Sequence, residues 1–572
     1  MKVLGKYLKK YKWFIIIGPL FKLLETILEL FNPIMVARII DFGVKNADYH
    51  YIVKYGLIIL AFNVIGFGAA LICQKCASLT SVGISTNLRN DLFNKVSTFS
   101  HTELDKFGTA SLINRLINDI NHIENAIGVV IRMTVRVPFL LIGAFVLSLS
   151  INIKMSLVFL VLIPIICVLL VIYTKKTTPH FKEIRVKLDN LSKITKENLS
   201  GTRVIRAFNK QDDEQVRFEV SNSDLTKTSI KVSKISSLLS PIVFLIVDAA
   251  TIAILAVGGW QINLGHMSQG DVIALIDYVA IITISLLLLS QIIVMLVRTS
   301  ASMHRVEEVF KTEPVIKADE HAIRTNKLTY DAIMEFKNVS FNYSMDTNEK
   351  SFIKDLSFKI YPHQTIGIIG GTGSGKTTIA SLMTRFYDVT QGEVLFKGKN
   401  IKDINLEDLR KDISIVQQRS TLFSGSLREN MQIRDKNATD EEIIEALKIS
   451  QAWPFVSEWH NKLDYQIMAG GKNVSGGQMQ RLTIARAIIG KPDMIILDDS
   501  SSALDFMTDR NLRHALKELN STLVLISQRA TSIKSADLII VLDNGNVVGM
   551  GKHEELMKNC EIYREIYESQ AK

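Results

Sequence analysis

The sequence predicts an α-helical transmembrane domain of six spans with long cytoplasmic helical extensions, followed by an α/β P-loop domain. Three observations carry this expectation: an apolar first half, a glycine-rich loop at 370–378, and a stretch at 470–505. That last stretch joins a serine–glycine turn to a strand ending in two carboxylates. The chain has 572 residues, too many for one domain, and a mean hydropathy of +0.20, high for a soluble protein. Almost all of the hydrophobicity lies before Arg298, and the remainder reads as an ordinary globular α/β sequence.

A net charge of +10 could point to nucleic acid, but its placement argues otherwise. Lys2, Lys6, Lys9, Lys10 and Lys12 precede the first apolar run, and Lys175, Lys176, Lys182, Arg185 and Lys187 follow the fourth. The connections expected outside, 41–50, 151–154 and 261–270, carry only Lys45 and Lys154. This is the positive-inside bias of a plasma-membrane protein with both termini cytoplasmic, and nucleic acid is not an expected partner. Of the four cysteines, Cys73 and Cys76 form a CxxC inside a long helical pattern with no second pair. Neither a disulfide framework nor a zinc or redox site is read from them. Residues 13–31 are long, interrupted by charge and followed by further apolar runs, so they are not read as a signal peptide.

Residues 1–12 alternate lysine with Val3, Leu4, Tyr7, Leu8 and Tyr11, which suits an amphipathic elbow helix on the inner surface of the bilayer. A span needs about 20 mostly apolar residues. The candidates within a transmembrane domain at 13–310 are 13–35, 52–73, 127–149, 155–173, 238–260 and 272–297. Glu25, Glu29, Arg132, Arg136, Asp248 and Asp277 fall at membrane depth. Intramembrane charge is costly, so these residues either line a polar pathway, one favouring cationic amphiphiles, or pair internally; both readings stay open.

Between the second and third spans, and between the fourth and fifth, the chain stays polar and helix-prone for dozens of residues. At about 1.5 Å per residue such helices project tens of ångströms into the cytoplasm. Two segments stand at their turns, 106–119 (with Phe107, Gly108, Arg115 and Asp119) and 200–209 (with Gly201, Arg203, Arg206 and Phe208). Both resemble the intracellular loops of ATP-binding cassette (ABC) exporters, whose short coupling helices touch the nucleotide-binding domains. A polar linker at 311–331 containing Glu313 and Pro314 then separates the spans from an ABC nucleotide-binding domain expected at 332–572.

In that domain an apolar strand at 365–369 leads into Gly370, Gly371, Thr372, Gly373, Ser374, Gly375, Lys376, Thr377 and Thr378, which open a helix. This is the P-loop in its required strand–loop–helix context. Glycines let backbone N–H groups turn inward around phosphates, Lys376 neutralises β/γ oxygens, and the Thr377 hydroxyl ligates magnesium. ATP and Mg2+ are therefore expected cofactors. Further on, Ile413 to Gln418 followed by Leu422 and Phe423 resembles the Q-loop of the ABC family. The resemblance makes Gln418 the residue that reaches magnesium or the attacking water. It also implies that Tyr343 stacks on adenine and that 474–478 is a variant signature. Ser475, Gly476, Gly477 and Gln478 of that signature would bind the γ-phosphate held by a partner's P-loop. Asp498 then ends the Walker B strand and holds magnesium, and the run from Ser502 to Asp505 is the D-loop at the dimer interface.

Three departures from the family pattern fall around one nucleotide. Asp499 stands where the family has its catalytic glutamate, Gln528 where it has the switch histidine, and Ala469 where a glutamate is frequent before the signature. Aspartate is one methylene shorter, drawing its carboxylate back by about 1.5 Å, a displacement that can cost about 10²-fold in rate. Glutamine donates a hydrogen bond but carries no imidazolium charge. The expected site binds ATP and hydrolyses it poorly.

The resemblance covers essentially the whole chain and implies an ATP-driven exporter of small amphipathic molecules or drugs. In the leading expectation the chain is one half of a heterodimer with a second ABC half-transporter, its signature completing the partner's site. The alternatives are a slow homodimer, a lipid or peptide exporter, an ATP-gated channel and a regulatory subunit. No peptidase domain precedes the first span, which weighs against a leader-cleaving peptide exporter. The six spans weigh against a soluble ABC ATPase acting on DNA.

Overall fold

The computed structural model describes residues 2–317, 322–325, 330–343, 352–500 and 504–571. It comprises two compact units: Met1–Ser97 with Ala110–Thr312, and Thr98–Thr109 with Glu313–Lys572.

The first unit is helical. After the short helix Lys2–Lys10 come Lys12–Arg38, Tyr49–Ser97, Ile120–Met133, Arg136–Ile151, Ile153–Ser200, Gln211–Ser237, Leu239–Asn263 and Gln269–Lys311. Tyr49–Ser97 has 49 residues and Ile153–Ser200 has 48. At about 1.5 Å per residue each exceeds twice the thickness of a bilayer's hydrocarbon core. Gln269–Lys311 begins at a capping box in which Ser268 and Asp271 satisfy each other's backbone N–H groups.

Among the described residues five helical stretches are long and apolar enough to cross a membrane: Tyr49–Ser97, Thr109–Ile151, Ile153–Ser200, Gln211–Asn263 and Gln269–Lys311. The first expected span lies in Lys12–Arg38 but does not join them. Every 18-residue window of that helix contains Lys22, Glu25 and Glu29.

Two of the expected spans meet backbone breaks. The third is interrupted by a turn at Thr134 and Val135, and the fifth starts from a turn at Leu238. Each break lies shortly before a proline, Pro138 and Pro241. A proline inside a helix has no N–H to donate, and its ring collides with the carbonyl four residues back, here Thr134 and Ser237.

Most of the charges at membrane depth find partners. Lys22 Nζ lies 2.7 Å from Glu25. Arg136 lies 3.1 Å from Glu29 and 3.8 Å from Glu25. Arg132 donates to the Gln74 side-chain oxygen at 2.9 Å. Among the described residues Asp248 and Asp277 make no ion pair. Internal pairing thus accounts for Glu25, Glu29 and Arg136. Elsewhere in this unit Arg305 pairs with Asp119, and Arg115 with Glu308 at 2.8 Å. Fully buried Tyr278 donates its hydroxyl to the Leu30 carbonyl at 2.9 Å.

Arg136→Leu should therefore strand Glu29, while Glu25 keeps Lys22 at 2.7 Å. Loss of one partner leaves a partly desolvated carboxylate without its counter-charge, which destabilises the fold. Thermal unfolding of the full-length chain in detergent should fall by several degrees for Arg136→Leu and by much less for Arg136→Lys. Equal shifts in the two would show that the charge is not what Arg136 supplies.

The second unit is α/β. Its six-stranded sheet runs in the order Asn546–Gly551, Leu538–Asp543, Thr365–Gly370, Thr522–Ile526, Met494–Asp498, Ile413–Val416. The strand Thr365–Gly370 lies parallel to Thr522–Ile526, with Gly367 opposite Leu525, and Ile526 in turn faces Asp498. Every residue of Thr365–Gly370 and Met494–Asp498 is buried. Strands covered on both faces read as unbroken apolar runs, and this is why these two were visible in the sequence.

A four-stranded sheet in the order Ile353–Ile360, Met334–Phe341, Gln391–Phe396, Lys399–Asn400 shares the first hydrophobic core with the P-loop helix. A second core gathers Leu427–Gln432, Asp440–Ile449 and Trp453–Glu458 against Gly476–Ile488.

Candidate nucleotide site

The strand Thr365–Gly370 delivers the chain into the loop, and the helix Lys376–Met383 carries it away. Two glycines are required on steric grounds. A Cβ on Gly370 would lie 2.2 Å from the Leu542 carbonyl oxygen. Gly375 has φ +102, and a Cβ there would meet Ile353 at 2.4 Å.

The Lys376 ammonium folds back into the loop, donating to the carbonyls of Gly370 at 2.9 Å and Gly371 at 2.7 Å. Burial lowers its pKa, opposed by the charges of Asp498 and Asp499. These carbonyls stand in for phosphate oxygens, the natural partners of a lysine in a cradle of backbone N–H groups. Gly371, Thr372 and Gly373 form the exposed outer wall of the cradle, and Ser374 is buried inside it.

Asp498 closes its strand at 3% exposure. Burial raises its carboxyl pKa, partly offset by a hydrogen bond from Thr377. Among the described residues no cluster of three or more His, Cys, Asp or Glu could hold a metal alone. One buried carboxylate beside one threonine hydroxyl suits a magnesium ion whose other ligands are phosphate and water. The donor set thus fits MgATP: Lys376 for phosphate charge, Thr377 and Asp498 for the ion.

Asp499 follows with a left-handed backbone, φ 46, its N–H donating to the Ile526 carbonyl at 2.8 Å. Gln418 donates to its carboxylate across a long 3.4 Å. Burial raises the Asp499 pKa, while Lys376 and Arg529, that bond, and the Gln528 backbone N–H pull it down. The structure thus brings together Gln418, Asp499, Gln528, Lys376 and Asp498, residues spread from 376 to 528.

Tyr343 stands at the edge of this group, its hydroxyl 2.9 Å from that of Thr378. Its ring meets Phe341, Phe352 and Tyr387 edge-on, with centroids 4.8, 5.6 and 5.2 Å away.

The signature residues are placed otherwise. Ser475 caps the helix Gly476–Ile488 by accepting from the Gln478 N–H, and Gln478 returns a bond to the Ser475 N–H at 2.9 Å. Among the described residues no hydrogen bond joins Ser475, Gly476, Gly477 or Gln478 to the P-loop. Asp505 caps the helix Phe506–Lys517 through the Thr508 N–H at 2.9 Å, which lowers its pKa. Ser502 and Ala503 of the expected D-loop lie outside the described residues.

Sequence reasoning missed the partners of Phe386 and Tyr387, just beyond the P-loop helix. The helix His101–Phe107 belongs to this unit and starts ahead of the 106–119 segment singled out in the sequence. His101 stacks on Phe386 with centroids 4.3 Å apart, Tyr387 donates to Asp105 at 2.5 Å, and Glu103 accepts from the Val315 N–H at 3.1 Å. Burial keeps the His101 pKa low, favouring the neutral stacked ring. Ser100 and Glu103 form a capping box, a signal that could have located this helix.

Since Tyr387 touches both Tyr343 and Asp105, Tyr387→Phe and Asp105→Ala should each lower the melting temperature of the full-length chain. The double variant should do no worse than either single one, with a coupling energy of about 1–2 kcal/mol for a charge-assisted bond. Additive losses would remove the pair from consideration.

Comparison with known proteins agrees with this geometry. Residues 15–286 match the ABC transporter transmembrane region and residues 353–502 match the ABC transporter family. The ABC transporter ATP-binding protein YfiB of Bacillus subtilis (strain 168) is 34% identical over 565 residues, covering 99% of this chain and 97% of that protein. An ABC transporter ATP-binding protein of Mycobacterium tuberculosis (strain ATCC 25618 / H37Rv) is 31% identical over 577 residues, covering 100% and 98%. Among solved structures, that of a bacterial Atm1-family ABC exporter with ATP bound shares the fold, with a TM-score of 0.77 at 19% identity over 100% of this chain and 99% of that one. Matched along its whole length by relatives more than 30% identical, the chain belongs to the ABC transporter family.

Proposed function

We propose that this chain is one half of an ATP-driven exporter of the plasma membrane that moves small amphipathic molecules or drugs outward. Its partner is a different ABC half-transporter, and ATP at this chain's own site is held but poorly hydrolysed. The observation that carries this reading is the pairing of intact binding ligands, Lys376, Thr377 and Asp498, with a shortened Asp499 and an uncharged Gln528 beside them. Two losses at one site, with the signature 474–478 retained, fit a subunit whose signature serves the partner's nucleotide.

Lys12–Arg38 supplies the sixth span in this reading. Pairing of Lys22 with Glu25, and of Arg136 with Glu29, lowers the cost of charge at that depth. In this reading the termini and the nucleotide-binding domain are cytoplasmic, supported by the lysine-rich connections. ATP closes two such domains on each other, closure reorients the helical bundle through the coupling segments, and hydrolysis at the partner's site resets it. Gln418 orients water toward the phosphate, and Tyr343 stacks on adenine once its bond to Thr378 is released.

A tagged full-length chain drawn from its native membranes should copurify with an untagged half-transporter. Inverted vesicles holding both should accumulate a cationic amphipathic dye only with ATP. Recovery of the chain paired solely with itself, at full transport rate, would remove the heterodimer. Failure to accumulate amphipathic dyes would remove the cargo class.

A further inference from the structure

The helix Glu561–Ala571 packs one face into the core of the nucleotide-binding unit. Tyr563 is fully buried with Ile369, Ala530 and Ile533, and its hydroxyl meets His553 Nδ1 at 2.8 Å. One turn on, Lys534 donates to the Tyr567 hydroxyl at 3.2 Å. Another turn brings Gln570 to the same face, since residues three and four apart on a helix align. There its side chain makes two bonds to one loop. Nε2 donates to the Gln528 carbonyl at 2.7 Å, and Oε1 accepts from the Ala530 N–H at 2.8 Å.

The backbone of that loop is accounted for group by group, as a partly buried backbone must be. The Ser527 N–H goes to the Ile368 carbonyl at 3.1 Å, and the Arg529 N–H to the Ser527 hydroxyl at 2.9 Å. The Gln528 N–H goes to the Asp499 carboxylate. Gln528 is therefore pinned on both sides, its N–H by Asp499 and its C=O by Gln570. Because Gln570 binds only backbone, it would serve this loop whatever side chain stood at 528.

We propose that Gln570 is a positioning residue, clamping the loop that presents Gln528 and thereby setting this site's preference for ATP over ADP. The inference rests on the reading of Gln528 as the side chain that meets the γ-phosphate. A helix with no nucleotide contact of its own then governs how that phosphate is sensed, through a single peptide group shared with Asp499.

The test uses the full-length chain in its membrane assembly, with mant-ATP displaced by ATP or ADP in EDTA so that hydrolysis plays no part. Gln570→Ala should raise the Kd for ATP about 3- to 10-fold, as expected for losing two hydrogen bonds, and leave that for ADP within about twofold. Gln570→Glu keeps the acceptor for Ala530 and loses the donor to Gln528, so it should fall between. Amide exchange at Ala530 should quicken about tenfold in Gln570→Ala while Ile369 stays protected. Tyr567→Phe keeps the clamp and should keep the preference.

An unchanged ATP-over-ADP preference in Gln570→Ala overturns the proposal whatever the exchange rate does. So does an equal weakening of both nucleotides, which would mark general loosening. If Gln528→Ala also leaves the preference unchanged, the γ-phosphate reading of Gln528 has failed. If Gln528→Ala alone alters it, only the clamp has failed.

Discussion

Lengthening Asp499 to glutamate should raise ATP turnover at this chain's own site by about 10²-fold, the scale on which an ångström of misplacement matters in holding a water for attack. The backbone there does not need to move. The Asp499 N–H is tied to the Ile526 carbonyl, and the parallel neighbours of that strand are buried, so one added methylene goes into reach. Gln418, now 3.4 Å from the carboxylate, would close to ordinary hydrogen-bond distance.

Gln528→His should add to the gain less than its own effect alone, because in the proposed reading both residues act on one phosphate and one water. A small stability loss should accompany the gain. Position 499 has φ 46, and aspartate tolerates the left-handed region better than glutamate does. Per-site turnover in the full-length assembly is the measurement. No rise beyond twofold in either the single variant or the pair would show that Asp499 is not what limits hydrolysis.

Asp498→Asn should produce a crossover. Without nucleotide the variant should melt about 2–4 °C above the parent chain, and with saturating MgATP well below it. Burial holds the Asp498 pKa above the ordinary carboxylate value. The folded chain therefore binds the proton more tightly than the unfolded one. That contribution to stability is complete below the ordinary value and is lost as pH rises through the raised one. At neutral pH the bare site thus carries a buried charge that Thr377 and Lys376 offset only in part, and asparagine of the same shape removes it.

The difference between the two proteins should shrink as pH is lowered toward the ordinary carboxylate range. In MgATP the order inverts, since a ligand at 100 times its Kd adds about 2.7 kcal/mol to the parent alone. Turnover at this site should drop at least about 10²-fold. A variant no more stable than the parent without nucleotide would mean that Lys376 already neutralises Asp498 in the empty site.

Much of the site was legible because its chemistry is local. Gly370 through Thr378 are contiguous, and a strand, a tight turn and a helix N-terminus need no distant partner to be recognised. The buried runs Thr365–Gly370 and Met494–Asp498 were visible for the same reason: strands covered on both faces cannot afford polar residues. The breaks at Thr134 and Leu238 could have been read from Pro138 and Pro241, but hydrophobicity alone drew continuous spans across or up to them.

The sequence by itself determined the two-part architecture, the strand–loop–helix of the glycine-rich loop and the identity of the residues that depart from the family pattern. Only the tertiary structure decided what those residues touch. The pairing of Glu29 with Arg136 spans 107 positions, that of Asp105 with Tyr387 spans 282, and that of Gln528 with Gln570 spans 42. None of these separations follows a helix or strand period, since each is set by how elements pack after they form. A charge at membrane depth looks the same in sequence whether it faces a pathway or an arginine. A glutamine late in the chain gives no sign that a helix face will carry it to the loop beside Asp499.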